Sequence, residues 1–169
     1  TSGLGDRRRG WRLAMVLALW ACTGAASAED GYALWMRYVP VDATSAGGYR
    51  AHAQEIVAPD RTATQRVARE ELERGLAGLL GVTPRLRTTL GDGGAFVLGT
   101  PQSSPWVAPF RRDLQALDDQ GYLLRSARIE GRDAIVVAAR DDVGVLYGVF
   151  HLLRLMQTGA SLDRLEIRE

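Results

Sequence analysis

Apolar residues recur along this chain with two different spacings. Segments in which they recur every three or four residues predict helices with one buried face. Short runs rich in β-branched and aromatic residues predict strands. The predicted helices cover residues 62–80, 105–119 and 142–157, and the predicted strands cover residues 34–39, 55–58, 85–89, 95–99, 122–129, 134–139 and 165–167.

Residues suited to helix starts precede all three helical segments. Asp60 or Thr62 can cap the first helix, and Asp141 can cap the third. Ser104 is followed by Pro105, which is a typical pairing of a cap with a proline in the first turn. These residues support the predicted starts of the three helices.

Turn-forming residues separate two pairs of predicted strands. The Gly-Asp-Gly-Gly run at residues 91–94 and the Glu-Gly-Arg-Asp run at residues 130–133 each predict a β-hairpin. Residues 42–49 are rich in small side chains and predict a loop. Two hairpins are incompatible with a purely parallel sheet. We therefore expect an α+β fold with α/β-like character, in which about three helices pack on a mixed β-sheet.

The third helix is apolar around most of its circumference. Eight large apolar residues lie between Val145 and Met156, whereas a helix on the surface of an independent domain has a wide polar face. The sequence predicts that a neighbouring domain covers part of this helix, and that Leu152 or Met156 is exposed in its absence. The alternative is a core helix that this domain covers by itself.

The first 28 residues have the layout of a secretory signal peptide. Arg7, Arg8, Arg9 and Arg12 form a basic head, residues 13–22 are apolar, and a small-x-small cleavage pattern ends at Ala28. An apolar stretch of this length is about half of the ~20 residues that span a bilayer. We expect cleavage after Ala28, export to the periplasm or the extracellular space, and no permanent membrane span.

A lipoprotein is the alternative for this leader, because residues 19–22 loosely resemble a lipobox that ends at Cys22. The bulky Trp20 stands where a lipobox has a small residue. If the leader is removed, residues 29–169 form the mature domain, and that domain contains no cysteine.

Composition excludes several classes of function. The net charge is +1 and all 21 cations are Arg, because the chain contains no Lys. Wholesale nucleic-acid binding, a phosphate-binding loop with its lysine and Schiff-base chemistry are therefore not expected. One Cys and two His give no metal-ligand spacing. We expect no metal and no cofactor.

Candidate catalytic residues are few. Grouped acids at positions 70, 71 and 73, at 118–119 and at 141–142 are typical of solvent-facing or helix-capping positions, and His52 and His151 are isolated in the sequence. Trp35 and Trp106 could stack on a sugar, but an aromatic residue in a strand is more often a core residue. The sequence therefore predicts no catalytic, cofactor-binding or metal-binding residue in this chain.

Several segments, in collinear order, resemble family 67 α-glucuronidases. The segment with the most marked resemblance is residues 142–155, Asp-Val-Gly-Val-Leu-Tyr-Gly-Val-Phe-His-Leu-Leu-Arg-Leu. A related Tyr-Gly pattern also occurs in the analogous domain of β-hexosaminidases. The other segments that are similar to the family lie at residues 29–38, 74–81, 98–105 and 121–126.

The resemblance implies an enzyme that removes 4-O-methyl-glucuronic acid from xylan-derived oligosaccharides. Such enzymes have an N-terminal α/β domain, a (β/α)8 barrel and a C-terminal helical region, and their catalytic carboxylates lie in the barrel. The resemblance implies that residues 29–169 are the N-terminal domain without the barrel, inactive alone. The expected partner is that barrel, docked through the helix between Val145 and Met156, and the substrates of the whole enzyme are xylan-derived aldouronic acids.

Two other interpretations remain open at this stage. The chain could be a stand-alone exported carbohydrate-binding module, for which a row of exposed aromatic residues is expected. It could also be a protein-interaction domain that binds a partner through the third helix. The sequence alone does not separate these possibilities from a partial α-glucuronidase.

Overall fold

The computed structural model describes residues 37–169, and Tyr38–Glu169 form one compact unit. The expectations for the signal peptide, Cys22, Trp35 and residues 34–36 lie outside this part of the chain. The predicted strand at residues 34–39 is not formed in its described part, because residues 37–39 belong to no strand. The described helices are α1 (Ala43–His52), α2 (Ala63–Leu80), α3 (Arg111–Gln115) and α4 (Asp142–Gln157), with a 3-10 turn at Ala108–Phe110. The described strands are β1 (Glu55–Val57), β2 (Arg85–Arg87), β3 (Ala95–Gly99), β4 (Tyr122–Ile129), β5 (Arg132–Ala139) and β6 (Glu166–Arg168).

The six strands form one mixed sheet in the order β2-β1-β3-β5-β4-β6. Strand β1 pairs in parallel with β2 and with β3, and β3 pairs in parallel with β5. Strand β4 runs antiparallel to β5 and to β6. The predicted α+β class and the mixed sheet are confirmed.

The predicted hairpin between β4 and β5 is present. Ile129 pairs with Arg132, and the two residues between them, Glu130 and Gly131, both have positive φ values of 51° and 80°. Two positive φ values are typical of the turn that connects tightly paired antiparallel strands.

The other predicted hairpin is wrong. Strands β2 and β3 do not pair with each other, because β1 lies between them and pairs with both. The glycines in the connection are needed for close packing on the start of β1. A side chain at Gly91 would overlap the carboxylate of Glu55, and a side chain at Gly94 would overlap the carbonyl of Ala51. This glycine-rich segment is a crossover between parallel strands rather than the turn of a hairpin.

Helices α2 and α4 match the predictions. Thr62 caps α2 by accepting a hydrogen bond from the backbone N–H of Gln65, and Gly81 ends it with a φ of 66°. Asp141 caps α4 by accepting a hydrogen bond from the N–H of Gly144 at 2.8 Å. Among residues 37–169, no helix is both long and apolar enough to cross a membrane.

Helix α1 was predicted as a loop, and that prediction is wrong. Glycines at 47 and 48 lower helix propensity, but Asp42 caps the segment by accepting hydrogen bonds from the N–H groups of Thr44 and Ser45. Ala46 and Tyr49 are buried on one face of α1. Tertiary packing and the cap therefore outweigh the low propensity.

The second predicted helix is much shorter than expected. It consists of the 3-10 turn and α3, and the side chain of Ser104 does not cap either of them. Pro109 explains the difference, because a proline inside a helix lacks the N–H group and clashes with the preceding turn. The described part of the chain therefore contains four α-helices rather than about three.

The two faces of the sheet bury different sets of residues. Helices α1, α2 and α4 cover one face, where Phe96, Leu124 and Ile135 are buried with the apolar sides of the helices. The segment that contains the 3-10 turn and α3 covers the other face through Val107 and Leu114. Apolar burial on both faces is the main stabilising contribution to the domain.

Candidate functional site

Most of the paired acids face solvent or cap a helix, as the sequence predicts. Glu70, Asp118 and Asp119 are exposed. The carboxylate of Asp119 lies 2.6 Å from a guanidinium nitrogen of Arg140, and Asp141 caps α4. An exposed ion pair of this kind contributes little to stability.

Glu71 does not follow that pattern, because it is 1% exposed and packed inside the domain. One carboxylate oxygen accepts a hydrogen bond from the hydroxyl of Tyr38 at 2.5 Å, and the other accepts one from Arg74 at 2.6 Å. A buried charge must be paired to be tolerated. Glu71 therefore links α2 to the chain that precedes α1, and both of its oxygens are engaged.

The structure also brings together two acids that are far apart in the sequence, Asp113 on α3 and Glu166 on β6. Arg125 contacts Asp113 at 2.9 Å and Glu166 at 2.7 Å, and Arg168 contacts them at 3.2 and 2.9 Å. A glycosidase pair needs one carboxyl group that gives a proton to the leaving group. Here guanidinium groups engage both carboxylates, so the arrangement is an ion network.

The sequence offered no signal for this network, because its four charged residues come from three separate elements. Arg125 also lies over the ring of Phe110, with its guanidinium carbon 5.4 Å from the ring centre. The pairing depends on the register between β4 and β6, in which Arg125 lies opposite Glu166.

Asp142 occupies the place where α/β proteins often bind anions, at the N-terminal ends of two helices. Its carboxylate accepts a hydrogen bond from the hydroxyl of Thr62 at 2.7 Å and another from the amide of Gln65 at 2.9 Å. The carboxylate of the protein itself thus links the N-terminal ends of α2 and α4. Its role in this structure is to join helices.

A shallow cleft of about 290 Å³ opens at the carboxyl ends of β1 and β3. Ligands commonly bind at this edge of parallel strands. The acid in the cleft is Asp60, whose carboxylate lies 2.7 Å from a nitrogen of Arg69. The hydrogen bond from Arg69 holds the pKa of Asp60 below its usual value. A single ion-paired carboxylate cannot supply both an acid and a base for hydrolysis.

The two histidines have different surroundings. His52 and Asp163 line two clefts beside the chain that leads to β6, of about 200 and 280 Å³, and Asp133 also lines the larger one. Nδ1 of His151 lies 2.8 Å from the hydroxyl of Tyr122, which donates a hydrogen bond to Glu169 at 2.7 Å. Burial, and then the hydrogen bond to Glu169, raise the pKa of Tyr122. Within residues 37–169, no three His, Cys, Asp or Glu residues are grouped to hold a metal ion.

Trp106 is partly buried against the core on the sheet face that the 3-10 turn and α3 cover. It therefore does not form an exposed platform for a sugar ring. Tyr147 is the aromatic residue among the exposed large apolar residues of the described part of the chain. A carbohydrate-binding module would need a row of exposed aromatic residues. The described surface offers a single residue of this kind, Tyr147.

Helix α4 is buried on two sides, but both sides are covered by this domain. Its glycines at 144 and 148 lie against β4 and β5, and Leu153 lies against Gly75 of α2. Leu152 and Met156 are fully buried, so the expectation that one of them is exposed is wrong. The apolar residues of α4 that are buried within the domain are Val145, Val149, Leu152, Leu153 and Met156.

The chain is similar to the N-terminal region of a group of carbohydrate-active enzymes. The model of the family described as Glycosyl hydrolase family 67 N-terminus matches residues 34–152. Alpha-glucuronidase A from Emericella nidulans is 29% identical over 145 residues, which are 82% of this chain and 16% of that protein. "Probable alpha-glucuronidase A" from Aspergillus fumigatus (strain CBS 144.89) is 28% identical over 152 residues, 88% of this chain and 18% of that protein.

A solved structure shares the fold. A family GH115 4-O-methyl-alpha-glucuronidase with specificity for decorated arabinogalactans superposes with a TM-score of 0.51 and 25% identity, over 68% of this chain and 17% of that one. The chain therefore spans less than a fifth of the curated relatives and of the solved structure to which it is similar.

Proposed function

Because the chain belongs to the family of glycosyl hydrolase family 67 N-terminal domains, we propose that it is the non-catalytic N-terminal domain of an α-glucuronidase. The enzyme as a whole removes 4-O-methyl-glucuronic acid from xylan-derived oligosaccharides. The observation that supports this most strongly is the match of the family model to residues 34–152, which include β1–β5 and most of α4.

The geometry of the acids supports a non-catalytic role. Inverting and retaining glycosidases place two carboxyl groups roughly 5 to 9.5 Å apart around a sugar that a cleft holds in place. Asp113 and Glu166 are bridged by Arg125 and Arg168, each of which contacts both carboxylates. The cleft acid, Asp60, is paired with Arg69. Neither arrangement leaves a carboxyl group free to transfer a proton.

The proposed partner is the catalytic barrel of the same polypeptide. The relatives named alpha-glucuronidase are several times longer than the part that this chain matches. A catalytic domain in that remaining length accounts for their names, and it fits the pairing of Asp60, Asp113 and Glu166 with guanidinium groups in the present domain. The role proposed for the present domain is to support that catalytic domain.

The test is an assay of the product of the complete reading frame that encodes this chain. Aldouronic acids from xylan and a decorated arabinogalactan serve as parallel substrates. We expect release of 4-O-methyl-glucuronic acid from the aldouronic acids. Release from the arabinogalactan alone would contradict the xylan assignment, and release from neither substrate would contradict the proposed function.

Export is part of this proposal. The basic head at Arg7–Arg12, the apolar residues 13–22 and the Ala26-Ser27-Ala28 pattern support cleavage after Ala28 and location in the periplasm or outside the cell. Mass spectrometry of the N-terminus of the exported protein tests it. A mature protein that begins at Glu29 is expected, and an exported protein that keeps Arg7–Arg12 would overturn it.

A further inference from the structure

The outward face of α4 carries several apolar side chains, although it lies at the surface of the domain. Val143 is 36% exposed and Tyr147 is 45% exposed, and Phe150 is half-buried and belongs to neither core cluster. Arg154 is exposed at the far end. Spacings of three and four residues place these side chains in one row along a helix. We call Val143, Tyr147, Phe150 and Arg154 the α4 outer stripe.

The other exposed large apolar residues of the described chain, Val39, Val67 and Leu86, lie on separate segments and do not form a row of this kind. Leu86 is 44% exposed and lies between Arg85 and Arg87 on the edge strand β2. Val67 is 45% exposed on α2, where Arg66 and Glu70 are also exposed. Single exposed apolar residues are normal on protein surfaces. The α4 outer stripe differs because three apolar side chains are contiguous.

We propose that the α4 outer stripe is the surface on which the catalytic part of the same polypeptide docks. The occupant presents an apolar pocket to Tyr147 and a carboxylate to Arg154, since the stripe offers an exposed aromatic residue and an exposed cation. This inference rests on the proposed function. It keeps the helix expected from the sequence, but the contact is made by the outward row rather than by Leu152 or Met156, which are buried.

Two observations support the catalytic part of the same polypeptide as the occupant of the α4 outer stripe. The relatives and the GH115 structure attach this domain to a much longer chain, of which it forms 16–18%. A covalently attached partner is present at high effective concentration, so a small apolar stripe is sufficient for docking. Interfaces between domains of one chain are also smaller and more polar than obligate interfaces.

The second observation is the position of β6. The hydroxyl of Tyr122 bonds both Glu169, next to the end of β6, and His151, one helical turn after Tyr147 on α4. The carbonyl of Glu169 also accepts a hydrogen bond from the N–H of Tyr122 at 2.7 Å. A polypeptide that continues beyond Glu169 therefore leaves the sheet beside the α4 outer stripe.

Hydroxyl-radical footprinting of the 169-residue chain and of the complete polypeptide tests this proposal. We expect labelling of Tyr147 and Phe150 to fall several-fold in the complete polypeptide. Labelling of Leu86 and Val67, which are as exposed as Tyr147, is expected to stay unchanged. A second measurement uses Tyr147→Lys, with Leu86→Lys as the matched control. Tyr147→Lys is expected to lower the melting temperature of the complete polypeptide and not that of the 169-residue chain.

Equal labelling of Tyr147 in both proteins, or protection of Leu86 or Val67 instead, would overturn the proposal. A reading frame with no further domain would also overturn it, because the occupant would not exist. Uronic acid release by the complete polypeptide is measured separately. A complete polypeptide that hydrolyses aldouronic acids but leaves Tyr147 exposed contradicts only the docking surface, whereas one without activity contradicts the proposed function.

Discussion

Gly75 of α2 lies directly against Leu153 of α4, and a β-carbon at position 75 would overlap both δ-methyl groups of Leu153. The two helices therefore approach each other more closely at this point than any larger residue would permit. Both residues belong to segments in which the sequence resembles family 67 enzymes. The contact explains how α4 can be apolar on two sides and still be covered within its own domain.

Replacing Gly75 with valine is expected to lower the free energy of unfolding by about 1–3 kcal/mol, because added methyl groups overpack a filled contact. Chemical denaturation measures the change. Gly48→Ala is the matched control, since nothing lies within 4 Å of a β-carbon at that position of α1. That control is expected to raise stability by roughly 0.5–1 kcal/mol, because alanine favours a helix over glycine. Equal stability of Gly75→Val and wild type would contradict the contact.

Asp142 is expected to stabilise the junction of α2 and α4. Removing its carboxylate in Asp142→Ala leaves Thr62 and the buried amide of Gln65 without their partner. We expect a loss of about 1–3 kcal/mol in the free energy of unfolding. Asp118→Ala, at an exposed acid, is expected to change stability by less than about 0.5 kcal/mol. Similar effects of the two substitutions would show that the helix junction does not depend on Asp142.

Tyr122 is expected to give the domain a distinct loss of stability in alkali. Its pKa is raised in the folded protein, first by burial and then by Glu169, from the ordinary value of 10.0. Because the pKa of Tyr122 is higher in the folded than in the unfolded protein, its stabilising contribution to the free energy of unfolding is fully present below pH 10.0. That contribution is lost as the pH rises toward the folded-state pKa. Denaturation midpoints of wild type and Tyr122→Phe, measured at increasing pH, test this. Wild type should lose stability more steeply above pH 10.0, and parallel curves would exclude the effect.

Local signals were sufficient to predict the elements whose ends depend on neighbouring residues. Asp141 caps α4 and the Glu130–Gly131 turn joins β4 to β5, because each uses contacts within a few residues. The error at residues 91–94 has a different cause. Glycine there permits close packing against Glu55, which is distant in sequence. From the sequence alone, a glycine needed for close packing looks the same as a glycine needed for a turn.

Long-range packing also decided the features that the sequence analysis missed. Helix α1 depends on burial of Tyr49, whose hydroxyl donates a hydrogen bond to the carbonyl of Ala160 at 2.6 Å. The network of Asp113, Arg125 and Glu166 exists only after β6 pairs with β4. Leu152 and Met156 are buried in the core cluster that also contains residues of α1, α2 and the sheet. Periodicity identified α4 as doubly buried but could not identify which element covers it.

Incubation of the purified 169-residue chain with aldouronic acids is the most direct test of the central claim that this domain is not catalytic. Release of 4-O-methyl-glucuronic acid is measured against a mock preparation from cells without the gene. We predict no release above the mock level, because guanidinium groups engage both linked acids, Asp113 and Glu166, and the cleft acid Asp60. Release that exceeds the mock level and increases with protein concentration would contradict the claim.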